Sequence, residues 1–346
     1  TDPSKGGWPG GAETGTPVPS RNGMMERSMD PFFDQIREAH VAIRPQVSVT
    51  PLEPSPVLSK LLGCDVSFKL DFHQPTGSFK IRGATNKVRT LDDEARRRGV
   101  LTASTGNHGM AVARAGALSG VPVTVYVGND ALQMKVDGIK ALGAEVVVID
   151  GSAGDAELAA RRAGEEQGRT YISPYNDPAV MAGQGTIGIE IAEQDPDLDA
   201  VFIAVGAGGL MGGAGTALHA LRPDIDVVGV WPEASLCMLR ALEAGEIVPT
   251  QEYPTLSDGT LGAIEPGSIT FPACQKAIDT RIVVDEAEIA AAMKRIAETE
   301  RWMIEGAAGV AFAGLVQQAA KYRGRKVAVV LCGRNIALDL FLRTIS

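Results

Sequence analysis

One lysine of this sequence lies in a turn whose neighbours could allow covalent chemistry. Lys80 belongs to the run PTGSFKIRG at positions 75–83, between an apolar strand-like segment at 66–70 and a helix-like segment that follows. Gly77 permits a tight turn, and Ser78 is expected to cap the helix. Ligands of open α/β sheets gather at strand-to-helix junctions of this kind. Most lysines are solvated surface residues, but an amine that is neutral part of the time at such a junction can attack an aldehyde.

Two further motifs occupy junctions of the same type. The runs STGNHG at 104–109 and GAGGLMGG at 206–213 each follow an apolar segment and open a helix-like one. In the second run, glycines let backbone N–H groups converge on an anion at the positive end of a helix. Dinucleotide-binding proteins also use such a turn, but here it comes late in the chain. The next strand-like segment, 227–230, runs into Trp231 rather than into an acidic residue that could bind a ribose.

In this order, the three motifs resemble the fold-type II family of pyridoxal-phosphate enzymes, specifically its serine/threonine dehydratase and serine racemase branch. The resemblance runs from about Pro45 to the C-terminus. It implies that Lys80, beside Phe79, forms the Schiff base with pyridoxal 5'-phosphate and later removes the Cα proton of the substrate. Lys69 and Lys87 lack the Gly-Ser-Phe context. The resemblance also implies a phosphate-binding loop formed by Gly206, Ala207, Gly208, Gly209 and Leu210, with Ala207 where the family often has glycine.

The same resemblance implies further contacts to the cofactor and the substrate. Asn107 is expected to donate to the 3'-oxygen of the ring, Glu305 to lie beneath the ring, and Cys332 to face the pyridine nitrogen, where the family usually has Ser or Thr. The α-carboxylate of the substrate is expected to bind the loop of Ser104, Thr105, Gly106, Asn107 and His108.

Several of these residues have an alternative interpretation. Asn107 and Ser104 could simply cap a helix, His108 could orient its loop without a catalytic role, and Cys332 could be a small buried residue. Arg334 replaces a glycine that is common in the family, and it could be a cation at the mouth of the pocket or a solvated surface residue.

The implied activity is dehydration and deamination of a β-hydroxy-α-amino acid of the L-threonine or L-serine type, which gives a 2-oxo acid and ammonia by α,β-elimination. Three alternatives remain: a dehydratase of 3-hydroxyaspartate or another β-hydroxy amino acid, an amino-acid racemase with Thr105 as second base, and an inactive ligand-binding homologue. A β-replacement synthase fits the lysine and loop motifs less well. No metal site is expected, because the segment 231–237 contains a single glutamate where metal-binding relatives have several acidic residues.

The elements that must position these residues alternate along the chain, which predicts parallel strand–helix–strand units. The predicted strands are 66–70, 100–103, 121–127, 145–149, 171–172, 200–205, 227–230 and 326–331; the predicted helices are 30–44, 92–98, 110–118, 132–142, 155–167, 183–194, 214–221, 286–299 and 309–322. In the first helix, Phe32, Phe33, Ile36 and Val41 are expected to form the apolar face.

The fold implied by this order and by the resemblance is α/β, of the tryptophan synthase β-like class. It has two open, mostly parallel-sheet domains with the active site in the cleft between them. Residues 24–96 and 173–346 would form the large cofactor-binding domain, and residues 97–172 a small mobile domain. Residues 1–23 read as low complexity, so we expect an extension that is disordered or foreign to the natural protein.

The composition and the net charge indicate which classes of molecule the protein can bind. A chain of 346 residues with 45% hydrophobic residues suits a globular enzyme of about two domains. The net charge of −9 argues against nucleic acid or an anionic membrane as partner, and no apolar run reaches the ~18 residues that a membrane helix needs. Four widely spaced cysteines favour a reducing cytoplasm. We expect a small amino-acid substrate, a homodimer, and no regulatory domain beyond the C-terminus.

Overall fold

The computed structural model describes residues 30–129, 131 and 133–346. The expected extension at 1–23 lies outside these residues, as do positions 24–29 of the predicted large domain and position 132 of a predicted helix. Among the described helices, none is long and apolar enough to cross a bilayer.

Within the described residues, the strands form two sheets. One sheet has the order β1-β2-β10-β7-β8-β9 and the other the order β5-β4-β3-β6. All neighbouring pairs are parallel except β1 with β2, so the expected α/β fold with mostly parallel sheets is confirmed. The strands are β1 (Leu52–Pro54), β2 (Asp65–Lys69), β3 (Val100–Ala103), β4 (Val123–Gly128), β5 (Glu145–Ile149), β6 (Thr170–Tyr171), β7 (Ala200–Ala204), β8 (Asp226–Pro232), β9 (Thr280–Val284) and β10 (Lys326–Val330).

Helices connect and cover these strands. They are α1 (Pro31–Ala42), α2 (Pro56–Leu62), α3 (Lys80–Arg89), α4 (Asp93–Arg98), α5 (Asn107–Ser119), α6 (Gln133–Ala141), α7 (Ala153–Gln167), α8 (Pro178–Gln194), α9 (Gly209–Leu221), α10 (Cys237–Ala244), α11 (Thr270–Ala277), α12 (Glu286–Thr299), α13 (Gly306–Gln318) and α14 (Leu338–Ile345). The second sheet is built from strands between Val100 and Tyr171, inside the predicted small domain. The domain boundaries themselves, and the mobility of the small domain, stay predictions.

Most predicted elements are present with shifted ends, and a few short ones were missed. Strands β3 and β5 and helix α12 have the predicted bounds. Helix α8 begins earlier than predicted, because the Asp177 side chain accepts hydrogen bonds from the first free N–H groups and so caps it. The prediction for Val41 was wrong: it is 74% exposed, whereas Phe33, Ile36 and Ala39 are the buried face of α1. The missed elements are β1, α2, α10, α11, β9 and α14.

Helix α8 holds the helix of Lys80 and the helix after the glycine loop at short distances. A Cβ atom on Gly183 would lie 2.5 Å from the carbonyl oxygen of Arg82 in α3. On the next turns of α8, a Cβ atom on Gly188 would overlap the carbonyl oxygen of Ala214 in α9. Glycine at these positions therefore lets three backbones pack without side chains between them. This packing sets the distance between the lysine and the phosphate-binding loop.

A buried ionic network lies on the far side of α3 from the Lys80 amine. The Arg82 guanidinium donates to both oxygens of Asp71 at 2.8 Å and to both oxygens of Glu190 at 2.8 Å. Lys69 donates to Glu190 at 2.6 Å and to the Thr50 carbonyl at 2.7 Å. Two buried cations thus face two buried anions, all four side chains being inaccessible to solvent or nearly so, and the partly exposed Arg44 also pairs with Glu190 at 3.2 Å.

The electrostatics of this network depend on complete pairing. Burial acts to raise the pKa of Glu190, but the charges and hydrogen bonds of Arg82 and Lys69 outweigh it and lower the pKa to about 2. Because this folded-state pKa lies below the unfolded value, the carboxylate stabilises the fold above about pH 5. That contribution is lost progressively as the pH falls toward 2. For Arg82, burial alone would lower the pKa, and the pairing with Asp71 and Glu190 raises it instead.

Replacing Arg82 by methionine should lower the free energy of unfolding by about 3–5 kcal/mol, because it leaves Asp71 and Glu190 buried without their shared cation. Unfolding in urea measures this loss. Arg98→Met is the matched control: it removes an exposed pair with Glu94, and such pairs contribute about 0–1 kcal/mol. Equal losses for the two variants would contradict the importance of the network.

Candidate active site

Lys80 is the first residue of α3, and its amine points away from the ionic network. Its Nζ donates to the carbonyl oxygen of Pro174 at 3.0 Å. Burial lowers the pKa of Lys80 to about 8, and the nearby Cys332 and Glu305 oppose this shift only in part. At neutral pH the amine is therefore neutral more often than an ordinary lysine. The two alternative lysines are occupied: Lys69 pairs with Glu190, and Lys87 pairs with Asp177 at 2.6 Å.

The turn before Lys80 differs from the prediction in one respect. Ser78 does not cap α3: the cap residue is Phe79, and it makes no side-chain hydrogen bond. The hydroxyl of Ser78 is buried without a hydrogen-bond partner among the described residues, and so is the hydroxyl of Thr76. Ser78 is instead paired with Gly333 in an isolated antiparallel bridge. The lysine turn is thus held by the segment after β10 rather than by local capping.

The glycine loop links the buried strand β7 to α9. The helix begins at Gly209, earlier than predicted, and its cap residue Gly208 has a φ of +92° and provides no side-chain acceptor. The first N–H groups of this long helix consequently receive no capping side chain. A Cβ atom on Gly206 would lie 2.8 Å from the Thr260 carbonyl, and one on Gly208 would lie 2.6 Å from the Cys274 sulfur. The loop is therefore packed closely against Thr260 and Cys274, and the start of α9 offers N–H groups of the kind that bind a phosphate.

The asparagine loop joins β3 to α5 at the carboxyl end of the strands of the second sheet. Asn107 does not cap its own helix; its Nδ2 donates to Glu305 Oε1 at 2.9 Å and Oε2 at 3.1 Å. Ser104 does not cap α5 either: its hydroxyl accepts from the N–H of Gly106, the cap residue itself, at 3.1 Å and so closes a turn before the helix. Ser104, Thr105, Gly106 and Asn107 are all partly exposed. They remain candidates for binding a carboxylate at the start of α5.

His108 fits the orienting interpretation better than the catalytic one. Its ring is buried, and Nε2 donates to the Ile172 carbonyl at 3.0 Å, just beyond β6. Burial lowers the pKa of His108 to about 3, and the charge of Lys80 adds to this effect. A ring that stays neutral and is bonded to the backbone anchors the loop instead of transferring protons near neutral pH.

Glu305 and Cys332 lie next to the lysine. Burial raises the pKa of Glu305 to about 7, although the hydrogen bond from Asn107 acts in the opposite direction. A Cβ atom on Gly333 would overlap the Glu305 carboxylate, so glycine is required there. Burial also raises the pKa of the Cys332 thiol well above its usual value, with the Glu305 charge adding to it. Cys332 is therefore a neutral group, and its carbonyl accepts from the Phe79 N–H at 3.0 Å.

The residues expected in the site come together at the carboxyl ends of parallel strands, where open α/β proteins bind ligands. Asn107 contacts Glu305, and the pKa of Lys80 responds to Glu305 and Cys332. The glycine loop joins this group through the segment after β6, since Pro174 accepts from Lys80 and the next residue, Tyr175, packs on Gly209. Arg334 is exposed. Burial lowers the pKa of His73, and the charge of Arg334 adds to this effect.

Two residues of the site were missed from the sequence. Pro174 follows β6 and offers only a backbone oxygen, which no side-chain pattern reveals. Asn335 donates to Asn107 Oδ1 at 2.5 Å and to the Thr76 carbonyl at 2.8 Å. Its position directly after the run CGR at 332–334 was the available signal. Among the residues that the structure describes, no group of three or more His, Cys, Asp or Glu side chains could hold a metal ion. Metal-independent activity stays a prediction.

Comparison with known proteins places the chain in a family. Residues 43–333 match a family model described as "Pyridoxal-phosphate dependent enzyme". The chain is 38% identical over 314 residues to L-threonine ammonia-lyase of Thermotoga maritima, covering 91% of this chain and 78% of that protein. It is 33% identical over 310 residues to serine racemase of Oryza sativa, covering 88% and 91%. The structure of the processed threonine deaminase isoform 2 from Solanum lycopersicum superimposes with a TM-score of 0.87 at 32% identity, covering 92% of this chain and 93% of that one.

The cofactor-free chain should combine with added pyridoxal phosphate at a rate that increases with pH around a midpoint near 8. The reason is that only the neutral amine is nucleophilic and burial lowers the pKa of Lys80 to about 8. Visible absorbance follows the reaction. Lys60→Ala removes an exposed lysine and should leave this phase unchanged. A midpoint near 10, the ordinary value for lysine, would point to a surface amine instead.

Proposed function

Because the chain belongs to the family of pyridoxal-phosphate dependent enzymes of fold type II, we propose that it is an ammonia-lyase acting on a β-hydroxy-α-amino acid of the L-threonine or L-serine type. The reaction releases a 2-oxo acid and ammonia. The observation that carries the proposal is the Lys80 amine, partly neutral and unpaired with any described carboxylate, beside a neutral Cys332. The 38% identity to an L-threonine ammonia-lyase over most of both chains supports the choice of reaction.

The residues present fit the cofactor of this family. Gly206 and Gly208 carry no Cβ, which lets the loop at 206–210 pack against Thr260 and Cys274, and the start of α9 supplies N–H groups without a capping side chain that would bind the phosphate. Lys80 would bind the aldehyde carbon covalently, Asn107 would donate to the ring oxygen, and Cys332 would face the ring nitrogen. When bound, pyridoxal phosphate withdraws electrons from the α-carbon of the amino acid and so acidifies its Cα–H bond.

In this proposal, Lys80 acts as the base. The Lys80 amine would remove the Cα proton of the bound amino acid, and burial lowers its pKa so that part of it is neutral near neutral pH. The Pro174 carbonyl accepts a hydrogen bond from Lys80 and would stabilise the resulting ammonium. Holding the amine and the Cα–H bond in a reactive geometry can contribute ~7–11 kcal/mol to the lowering of the barrier.

The asparagine loop would hold the α-carboxylate of the substrate. Thr105 and Gly106 are partly exposed beside the N-terminal end of α5, where backbone N–H groups and the helix dipole favour an anion. The ring of His108 would keep this loop in place through its bond to Ile172. Ser104, whose hydroxyl accepts from Gly106, would shape the loop as well as contact the carboxylate.

Cys332 would favour β-elimination over delocalisation of the negative charge from Cα into the pyridine ring of the cofactor. Its thiol is neutral and a weak donor, so it cannot keep the ring nitrogen protonated as a carboxylate would. Negative charge that develops at Cα is then discharged most readily by loss of the β-hydroxyl. The 33% identity to a serine racemase keeps racemisation as the second candidate. Thr105 is its expected second base, but the extra methyl group of threonine restricts χ1 and crowds the site.

The proposal also covers the location of the protein, its substrate and its oligomeric state. All four cysteines are free and buried, which fits a reducing cytoplasmic location. The substrate is a small β-hydroxy amino acid: threonine, serine, 3-hydroxyaspartate or a bulkier one. A homodimer remains a prediction that light scattering would test.

Lys80→Ala should abolish keto-acid release and the visible absorbance of the bound cofactor while the chain stays folded, because the alternative lysines, Lys69 and Lys87, are paired with carboxylates. Keto-acid assays with L-threonine, L-serine and 3-hydroxyaspartate, with chiral analysis of remaining serine, measure activity and separate dehydratase from racemase. Lys60→Ala is the matched control on an exposed lysine. Retained cofactor colour in Lys80→Ala would assign the covalent bond to another lysine.

Substitution of Cys332 tests its position opposite the ring nitrogen. Cys332→Ser should change activity little, because a hydroxyl offers the same kind of donor. Cys332→Ala should cost about 1–3 kcal/mol of activation free energy, the usual penalty for an unsatisfied buried polar group. Cys332→Asp should raise the ratio of Cα-proton exchange to keto-acid release, since a carboxylate would keep the nitrogen protonated and favour return of the proton to Cα.

Cys64→Ser provides the control for the cysteine series, because Cys64 is a buried free thiol at the start of β2, at the opposite end of that strand from the lysine turn. Proton exchange is measured by deuterium incorporation into recovered substrate. If Cys332→Asp binds the cofactor and leaves the exchange ratio unchanged, Cys332 is only a small packing residue.

A further inference from the structure

Asn335 connects three loops of the site that are distant in sequence. Its side-chain amide donates to the Thr76 carbonyl in the lysine turn at 2.8 Å and to Asn107 Oδ1 in the asparagine loop at 2.5 Å. Its backbone N–H donates to Glu305 Oε2 at 3.0 Å. A Cβ atom on Gly77 would lie 2.6 Å from Asn335 Oδ1, so the amide lies directly against the backbone of the lysine turn.

These contacts determine which end of each amide faces which neighbour. A backbone carbonyl can only accept a hydrogen bond, so the atom of Asn335 that faces Thr76 must be Nδ2. The second hydrogen of this nitrogen points at Asn107, where it requires an acceptor, which is Oδ1. Asn107 must therefore turn its own Nδ2 in the opposite direction, where it meets Glu305.

We propose that Asn335 is a positioning residue that sets the amide orientation of Asn107, so that Asn107 presents a donor, and not an acceptor, to the ring oxygen of the cofactor. This inference rests on the proposed function only in assigning the ring oxygen to Asn107. The chain of contacts from Thr76 through Asn335 to Asn107 stands on geometry alone.

Glu305 by itself would not impose this orientation. Burial raises its pKa to about 7, so near neutral pH the carboxyl group exists in both forms. The protonated form can donate to Oδ1 of Asn107, and the ionised form accepts from Nδ2. The Thr76 carbonyl is an acceptor at every pH, so it holds Nδ2 of Asn335 in place. The second hydrogen of that nitrogen then requires Oδ1 of Asn107 as its acceptor. With the wrong end of Asn107 toward the cofactor, two oxygens would face each other.

Asn335→Asp is the sharpest test, because it keeps the shape of the side chain and replaces the donor by an acceptor. The aspartate would attract Nδ2 of Asn107 and turn Oδ1 toward the cofactor. We expect kcat for keto-acid release to fall about 100-fold, the loss that a small misplacement of a reacting group can cause. We also expect the pH at which the bound cofactor changes its visible absorbance to rise by roughly one unit, because the ionised ring oxygen loses a donor.

Asn335→Ala should shift the absorbance transition less, since Asn107 is then free to take either orientation. Gln167→Glu adds the same charge at an exposed position and should shift neither quantity. A further measurement needs neither cofactor nor turnover: urea midpoints of the cofactor-free chain for Asn107→Ala, Asn335→Ala and the double variant. The sum of the two single shifts in urea midpoint should exceed the shift of the double variant, because each single substitution removes the same hydrogen bond.

The proposal is overturned if Asn335→Asp matches Gln167→Glu in both kcat and the absorbance transition. If Asn335→Asp does not fold, additive urea shifts in the cofactor-free series overturn it. Failure of the proposed function would look different: the unaltered chain would bind the cofactor with its colour and release no keto acid. The absorbance transition and the urea series would still report on Asn335 in that case.

Discussion

The guanidinium of Arg82, buried between Asp71 and Glu190, is the interaction on which the position of the site depends. Arg82 lies on α3 close to Lys80, and its partners come from the segment after β2 and from α8. A buried pair of this kind adds little net stability, because desolvation offsets most of the attraction. Its geometric demand is strict, however, so only one placement of α3 satisfies it. The glycines of α8 then bring the α9 helix and its anion-binding end to the correct distance.

Two environments with opposite electrostatics occur on the two sides of α3. In the ionic network every charge has a partner, and the pKa of Glu190 is lowered to about 2. Beside the Lys80 amine, burial without full pairing has the opposite consequence. It brings the pKa of Lys80 to about 8 and that of Glu305 to about 7, and it keeps Cys332 and His108 neutral. One side thereby resists proton exchange, and the other can exchange protons near neutral pH.

Polar contacts join the two sheets across the site. Asn107, at the carboxyl end of the strands of the second sheet, bonds to Glu305 and Asn335. At the surface, Arg161 of α7 pairs with Glu265, and Lys135 of α6 lies 3.7 Å from Asp258. These surface contacts are partly exposed and therefore individually weak. The geometry of the asparagine loop consequently depends on the partly buried hydrogen bonds of Asn107 with Glu305 and Asn335 more than on the surface ion pairs.

The order of parallel strands and helices, the lysine turn, the glycine loop and the asparagine loop could be predicted from the sequence. Those features are local: a strand, a turn residue and a helix start lie within a few positions of one another, as at Ala200–Ala204 and Gly209. Three other features became visible only in the folded chain: Ser78 does not cap α3, Lys69 is bound by Glu190, and Asn335 bonds to Asn107. The reason is physical. Each of these outcomes depends on a hydrogen bond or a backbone contact between segments far apart in the chain, and local propensity carries no information about such partners.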